Sequence, residues 1–288
     1  MGRAPVAELR LIEGVHYQRE AWCQGFKTLG FDISLQSRHV PKPDDVLLLW
    51  NRYRHSEMRA REYEASGATV LITENAWLGP EEKDNHWFAL CIGHHNGAGA
   101  WRVGGLERWV RMGIDLKPWR KSGSYVLILP QRGMGEDGVR QPEGWLQRTK
   151  NKLLEANYDC VVHYHPGQRP HPPIDFGDAI CVVTWASGAA IKALVEGIPA
   201  FYELPHWVGA TASVRGFNQL DRPFYGDRLP MFRDLAWAMW RAEEIATGEP
   251  LAWLLCKSLS TSIENSARES TSAPTWRKGS GDWVTSPV

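Results

Sequence analysis

The run DAICVVTWASGAAIKALVEGIPAF, residues 178–201, decides the fold. Asp178–Thr184 is short, apolar and β-branched, the mark of a strand. The small residues from Ala186 to Ala190 open a helix, Gly188–Glu196. Gly197 fits the C′ position of that helix, where the chain turns left-handed, and Pro199–Tyr202 carries the chain onward. This is one strand–turn–helix cycle of an α/β protein.

The cycle repeats upstream. Ser124–Leu129 (SYVLIL) reads as a strand, followed by the glycine-broken loop PQRGMGEDG and a helix over Glu143–Ala156. That helix carries Trp145, Leu146, Leu153 and Leu154 on its apolar side. Cys160–Tyr164 (CVVHY) is the next strand and ends in HPGQRP. Such a series matches a mononucleotide-binding half. In the first half, Asp45–Trp50 (DVLLLW), Arg54–Ser66 and Ala68–Thr73 (ATVLIT) predict strand, helix and parallel strand. His86–Ile92 predicts a further strand before HHNGAGAW. Met231–Thr247 predicts a Trp-rich helix, with Phe232, Leu235, Trp237, Met239, Trp240 and Ile245 at near-helical spacing.

Composition narrows the class. The chain has 288 residues, 43% of them hydrophobic and 23% charged, which excludes a disordered polymer. Thirty-three basic and 33 acidic residues cancel, so it does not coat nucleic acid by bulk charge. No apolar run is long enough to span a bilayer, and the N-terminus lacks the apolar core of a signal peptide; a cytoplasmic protein is expected. Five cysteines without a CxxC pair read as reduced thiols, with no structural metal site. The last 31 residues, from Ser258, hold 12 Ser or Thr and read as a loosely held tail.

In open parallel sheets, ligands bind at the carboxyl ends of strands. Three such ends suit a phosphorylated ligand. After VLILP comes Gln131–Arg132–Gly133, where glycine admits close backbone approach and Arg132 offers a fork to phosphate; the alternative is a plain turn with a surface arginine. His165 follows CVVHY, with His163 beside it and His171 further on; no carboxylate or Cys spacing completes a metal site. Trp185, Ser187 and Gly188 lie where backbone N–H groups at a helix start seat a diphosphate, or where Ser187 merely caps.

The run VVTWASGAAIKALVEGIPAF resembles the donor-binding segment of GT-B glycosyltransferases and their UDP-sugar epimerase relatives. VVHYHPGQRP is similar to the His-Pro element of capsule-type sugar transferases. The resemblance implies an α/β fold of two Rossmann-like domains facing a central cleft, with a nucleotide-diphosphate sugar, such as a UDP-sugar, as co-substrate and no tightly bound cofactor. It implies an acceptor domain over 1–120, a donor domain over 121–257 and a tail over 258–288. Where the family pattern carries a helix acid, this chain has Lys192, so Lys192 and Arg132 would supply phosphate charge differently.

Glu74, at the end of ATVLIT, would then be the base that takes the acceptor proton, with His95 of HHNGAG as its rival. The segments ENAWLG and HHNGAGAW look like phage-type transferases, which implies double-stranded DNA carrying a hydroxymethylated pyrimidine as acceptor, and a host-cell cytoplasmic location. Two basic clusters agree: Arg52, Arg54, Arg59 and Arg61, and six basic against two acidic residues over Trp101–Lys121. A capsule or envelope glycan is the other acceptor, and a non-catalytic nucleotide- or DNA-binding protein the other class. Trp50, Trp77, Trp101 and Trp185 fall at strand ends or Gly-rich loops, where sugar or base stacking is expected.

Overall fold

The computed structural model describes residues 3–14, 16–36, 38–79, 87–94, 98–133, 135, 138–165 and 174–256. In chain order these form β1 (Val6–Arg10), α1 (Arg19–Thr28), β2 (Asp32–Ser34), β3 (Val46–Leu49), α2 (His55–Ala65), β4 (Thr69–Asn75) and β5 (Trp87–Ile92). Next come α3 (Glu107–Met112), β6 (Tyr125–Leu129), α4 (Trp145–Glu155), β7 (Cys160–Val162), β8 (Ala179–Thr184), α5 (Ala189–Val195) and β9 (Ala200–Tyr202). The last are β10 (Val214–Arg215), α6 (Leu229–Ala236), β11 (Met239–Arg241), α7 (Ala242–Thr247) and α8 (Glu249–Leu255). The chain is mixed α/β, with two sheets.

The second sheet has the order β10-β9-β8-β6-β7 and is parallel throughout. Its first strand, β6, is flanked by β7 on one side and β8 on the other. The chain therefore leaves β6 in both directions, which opens a crevice between the carboxyl ends of β6 and β8, the topological switch point. The first sheet has the order β11-β5-β4-β3-β1-β2 and switches in the same way between β1 and β3. Its β1 to β4 are parallel, and β3–α2–β4 is the predicted crossover, with Val46 opposite Thr69. β5 runs antiparallel to β4. Gly197 takes φ +77 after α5, the left-handed C′ conformation expected of it.

Residues 231–247 are not one helix. The chain stops helix at Ala236, and Met239–Arg241 becomes an edge strand antiparallel to β5, pairing Met239 with Ala89. The reason lies across the sheet: β5 would otherwise leave an open edge, and a run buried on every side satisfies strand and helix periods alike. The sheets accordingly cut across a division at residue 120. α7 and α8 follow β11 onto the first sheet, where Ile245, Leu251 and Leu254 pack with Trp22 and Phe26 of α1. A separate apolar cluster joins the two sheets, taking Ala89 and Cys91 from β5 and Leu127, Leu129 and Val182 from β6 and β8.

Candidate functional site

The β6/β8 switch point is laced by hydrogen bonds within the turn and between the two strand ends. Thr184 Oγ1 donates to the Leu129 carbonyl at 2.8 Å and accepts the Ser187 N–H at 2.8 Å. Gln131 Nε2 donates to the Ala186 carbonyl at 3.0 Å, tying the two strand ends together. Ser187 Oγ accepts the Ala189 N–H at 3.2 Å, so this serine braces the turn into α5. Gly133 has φ +69, and Arg132 beside it is exposed, with no hydrogen bond or ion pair among the described residues. His165 stands three residues beyond β7, half-buried. Because β8, β6 and β7 are neighbours, Ser187–Gly188, Arg132–Gly133 and His165 end on three adjacent strands.

One residue of this rim escaped the sequence reading. Glu203 follows β9, half-buried, and accepts a hydrogen bond from Trp145 Nε1 at 2.5 Å. Nothing in the sequence flags it, since Trp145 lies 58 positions away. Trp185 is a brace: its Nε1 donates to the Val139 carbonyl at 2.8 Å, holding the loop that leaves β6.

Glu74 is the next-to-last residue of β4, half-buried and opposite Ala89. Burial, together with the nearby Glu74 charge, drives the Cys91 thiol well above its ordinary pKa, so Cys91 is no nucleophile. Trp77 reaches from this strand end to the start of α5, where a Cβ built on Gly188 would meet Trp77 Cδ1 at 3.3 Å. The end of β4 and the β8–α5 turn are thereby in contact. Beside that contact lies a cavity of about 640 Å³ lined by Asn75, Trp87, Arg120, Phe176 and Lys192, among others. Lys192 faces this cavity, which neither Arg132 nor Ser187 lines. His95 and His171 lie outside the described residues.

At the β1/β3 switch point an aromatic group assembles that the sequence reading touched only through Trp50. His16 and Tyr17, from the loop after β1, set their rings edge-on to Trp50 at 5.3 and 4.7 Å. His16 is exposed there. The signal was present in sequence as Gly14 two residues before a histidine, once β1 is read as a strand. The other expected stacking indoles are structural. Trp77 is 5% exposed in the joint core, and Trp101 packs on it with ring centres 5.7 Å apart while its Nε1 donates to the Asp234 carbonyl.

Most of the arginines that suggested a DNA surface are committed inside the chain. Arg52 is held by Glu57, Glu64 and the Gly93 carbonyl, and Arg59 by Glu8, Glu62 and the His39 carbonyl. Arg61 pairs with Glu57. In the second cluster, Arg108 is 3% exposed, paired with Glu244 and stacked 3.6 Å over Trp240. Arg111 also reaches Glu244, and Lys117 reaches Glu196. Among the described residues no three His, Cys, Asp or Glu side chains gather to hold a metal, and no helix is long and apolar enough to cross a membrane.

No family model matches the sequence, and no curated protein sequence does. Solved structures do match in fold. The β-Kdo 2,7 transferase of KpsC from Thermosulfurimonas dismutans superposes with a TM-score of 0.52 at 13% identity, over 85% of this chain and 98% of that one. The β-Kdo 2,4 transferase of the same KpsC gives 0.50 at 11% identity, over 81% and 91%. This chain therefore shares the fold of those two sugar-transferase chains.

Proposed function

We propose that the protein is a glycosyltransferase of GT-B-like, two-Rossmann-domain architecture, moving a sugar from a nucleotide-activated donor to a glycan hydroxyl. The observation that carries this reading is the β6/β8 switch point, where Arg132–Gly133, Ser187–Gly188 and His165 end on adjacent strands. A nucleotide-diphosphate sugar such as a UDP-sugar would lay its phosphates there. Arg132 would pair with phosphate oxygens, and the backbone N–H groups beyond Ser187 and Gly188 would meet the charge that grows on the leaving group. Glu74, three residues before the Trp77 that packs on Gly188, would take the acceptor proton. As the acceptor oxygen bonds the anomeric carbon, the bond from that carbon to the phosphate oxygen breaks. The proton passes to Glu74 and the electron pair leaves with the nucleotide. His16, at the other switch point, is the second candidate base.

A glycan acceptor is favoured over hydroxymethylated DNA because most arginines of both basic clusters are already satisfied within the fold. Arg52, Arg59 and Arg108 cannot neutralise phosphates without breaking buried pairs. Kdo transfer by the two fold neighbours agrees with a glycan acceptor. Glu74→Gln separates catalysis from binding. The expected outcome is a fall in turnover of about 10²–10⁴-fold, with nucleotide affinity by calorimetry unchanged. Full turnover in Glu74→Gln would remove Glu74 from its role and leave His16→Ala to be measured.

A further inference from the structure

Arg132 stands between two residues that a third, Gln141, touches from across the loop. The sequence brackets this stretch symmetrically, with Pro130–Gln131 at its start and Gln141–Pro142 at its end. Gln141 Oε1 accepts the Gln131 N–H at 2.7 Å, across ten positions. The Gln141 backbone also closes on Gly133: a Cβ built there would meet the Gln141 carbonyl oxygen at 3.7 Å, and Gly133 has φ +69. Gln141 is itself well anchored. Pro142 biases it toward extended backbone. The Trp145 N–H donates to the Pro142 carbonyl at 3.1 Å and Arg148 Nη1 to the Glu143 carbonyl at 2.7 Å, tying this end to α4. At the other end, Gln131 Nε2 reaches the Ala186 carbonyl at 3.0 Å, in the turn that leads into α5. Trp185 adds its bond to the Val139 carbonyl. Arg132 has no partner of its own among the described residues, so its place is set by these neighbours.

We infer that Gln141 is a positioning residue of the donor site: it clasps the backbone on either side of Arg132, so that the guanidinium is placed before a phosphate arrives. The inference rests on the transferase reading, which puts the donor's phosphates at Arg132. A preplaced group spares the ordering entropy that a loose loop loses on binding. Loss of the clasp should therefore weaken phosphate binding through Arg132 while the fold stays intact.

The test is a double-mutant cycle on the full chain, read by calorimetry with UDP, CDP and inorganic pyrophosphate. Gln141→Met keeps the side-chain length and removes the acceptor oxygen. It should weaken whichever probe the wild type binds by about three- to tenfold. In an Arg132→Ala background the same change should cost less than about twofold, because no guanidinium is left to place. Each variant's melting temperature is measured alongside. A folded Gln141→Met with unchanged affinity would overturn the inference. So would a cost that is the same in both backgrounds, since Gln141 would then act on the ligand directly or on the fold as a whole. If Gln141→Met does not fold, hydrogen exchange in the wild type decides. The Gln131 N–H should exchange at least tenfold more slowly than an amide of an unstructured chain, and an unprotected Gln131 N–H would sink the clasp. Binding of a probe by the wild type that Gln141→Met leaves unchanged removes the positioning role alone. Binding of none of the three probes removes the phosphate site of the transferase reading, and the positioning role falls with it.

Discussion

At the scale of the residue, exposure and partnership separate the side chains that bind from those that hold the fold. Arg132 is exposed and unpartnered among the described residues, so Arg132→Ala should leave the melting temperature within about 1 °C, since isolated surface changes cost little. The same change should weaken donor binding roughly 10–100-fold, the worth of a charge-assisted pair; titration calorimetry checks it. Asp45 is the opposite case. It is 4% exposed, and its carboxylate accepts hydrogen bonds at 2.7 Å from His39 Nε2 and from the Val6 and Lys42 N–H groups. Burial alone would raise its pKa, but the His39 bond and then the two backbone bonds outweigh it, and the net shift is downward. A depressed folded pKa means stability that is present above the unfolded value and lost as pH falls through the folded one. Asp45→Asn should therefore cost about 1–3 kcal/mol at pH 7. In thermal melts across pH, its gap from wild type should narrow as pH drops below about 4.

At the scale of the element, the legible segments were those whose pattern is set locally. β3–α2–β4 and β6, α4, β8 and α5 each combine a short apolar run with a turn or cap residue, and each was read within a few residues of its bounds. β1 went unread because Glu8 interrupts it; that carboxylate is fully buried only because Arg59 and Tyr63, more than 50 positions away, bond to it. β11 was read as helix because its period is decided by the edge of β5, which no window around Trp240 contains. The site was legible as three polar strand ends. Their adjacency was not, since it follows from the strand order around β6, and neither were the pairs Glu203–Trp145 and His16–Trp50. Trp240 carries the return strand: it is fully buried, with Arg108 stacked on its ring. Trp240→Ala should lower stability by about 3–5 kcal/mol, a fall in Tm on the order of 10 °C. Scanning calorimetry showing a loss under 2 °C would mean that β11 is not integral to the first sheet.

At the scale of the whole molecule, a zero net charge conceals extensive internal pairing. The two arginine clusters, read in sequence as a nucleic-acid surface, mainly tie α2 to β1 and α7 to α3. The indoles behave alike, with Trp101, Trp119, Trp185, Trp237 and Trp253 each donating Nε1–H to a distant backbone carbonyl. At the strand ends, Arg132 is exposed with no partner among the described residues, and His16 stands exposed beside Trp50. That distribution favours a small activated donor and a glycan over a polyanion. The most direct measurement is sugar transfer by the full chain, using radiolabelled UDP-linked and other nucleotide-linked sugars, including activated Kdo, with either an acidic oligosaccharide or hydroxymethylated duplex DNA as acceptor. Label should pass from at least one donor to the oligosaccharide, with stoichiometric nucleotide release and none to DNA. Transfer to DNA alone, or no transfer and no donor hydrolysis with any nucleotide sugar, would contradict the account.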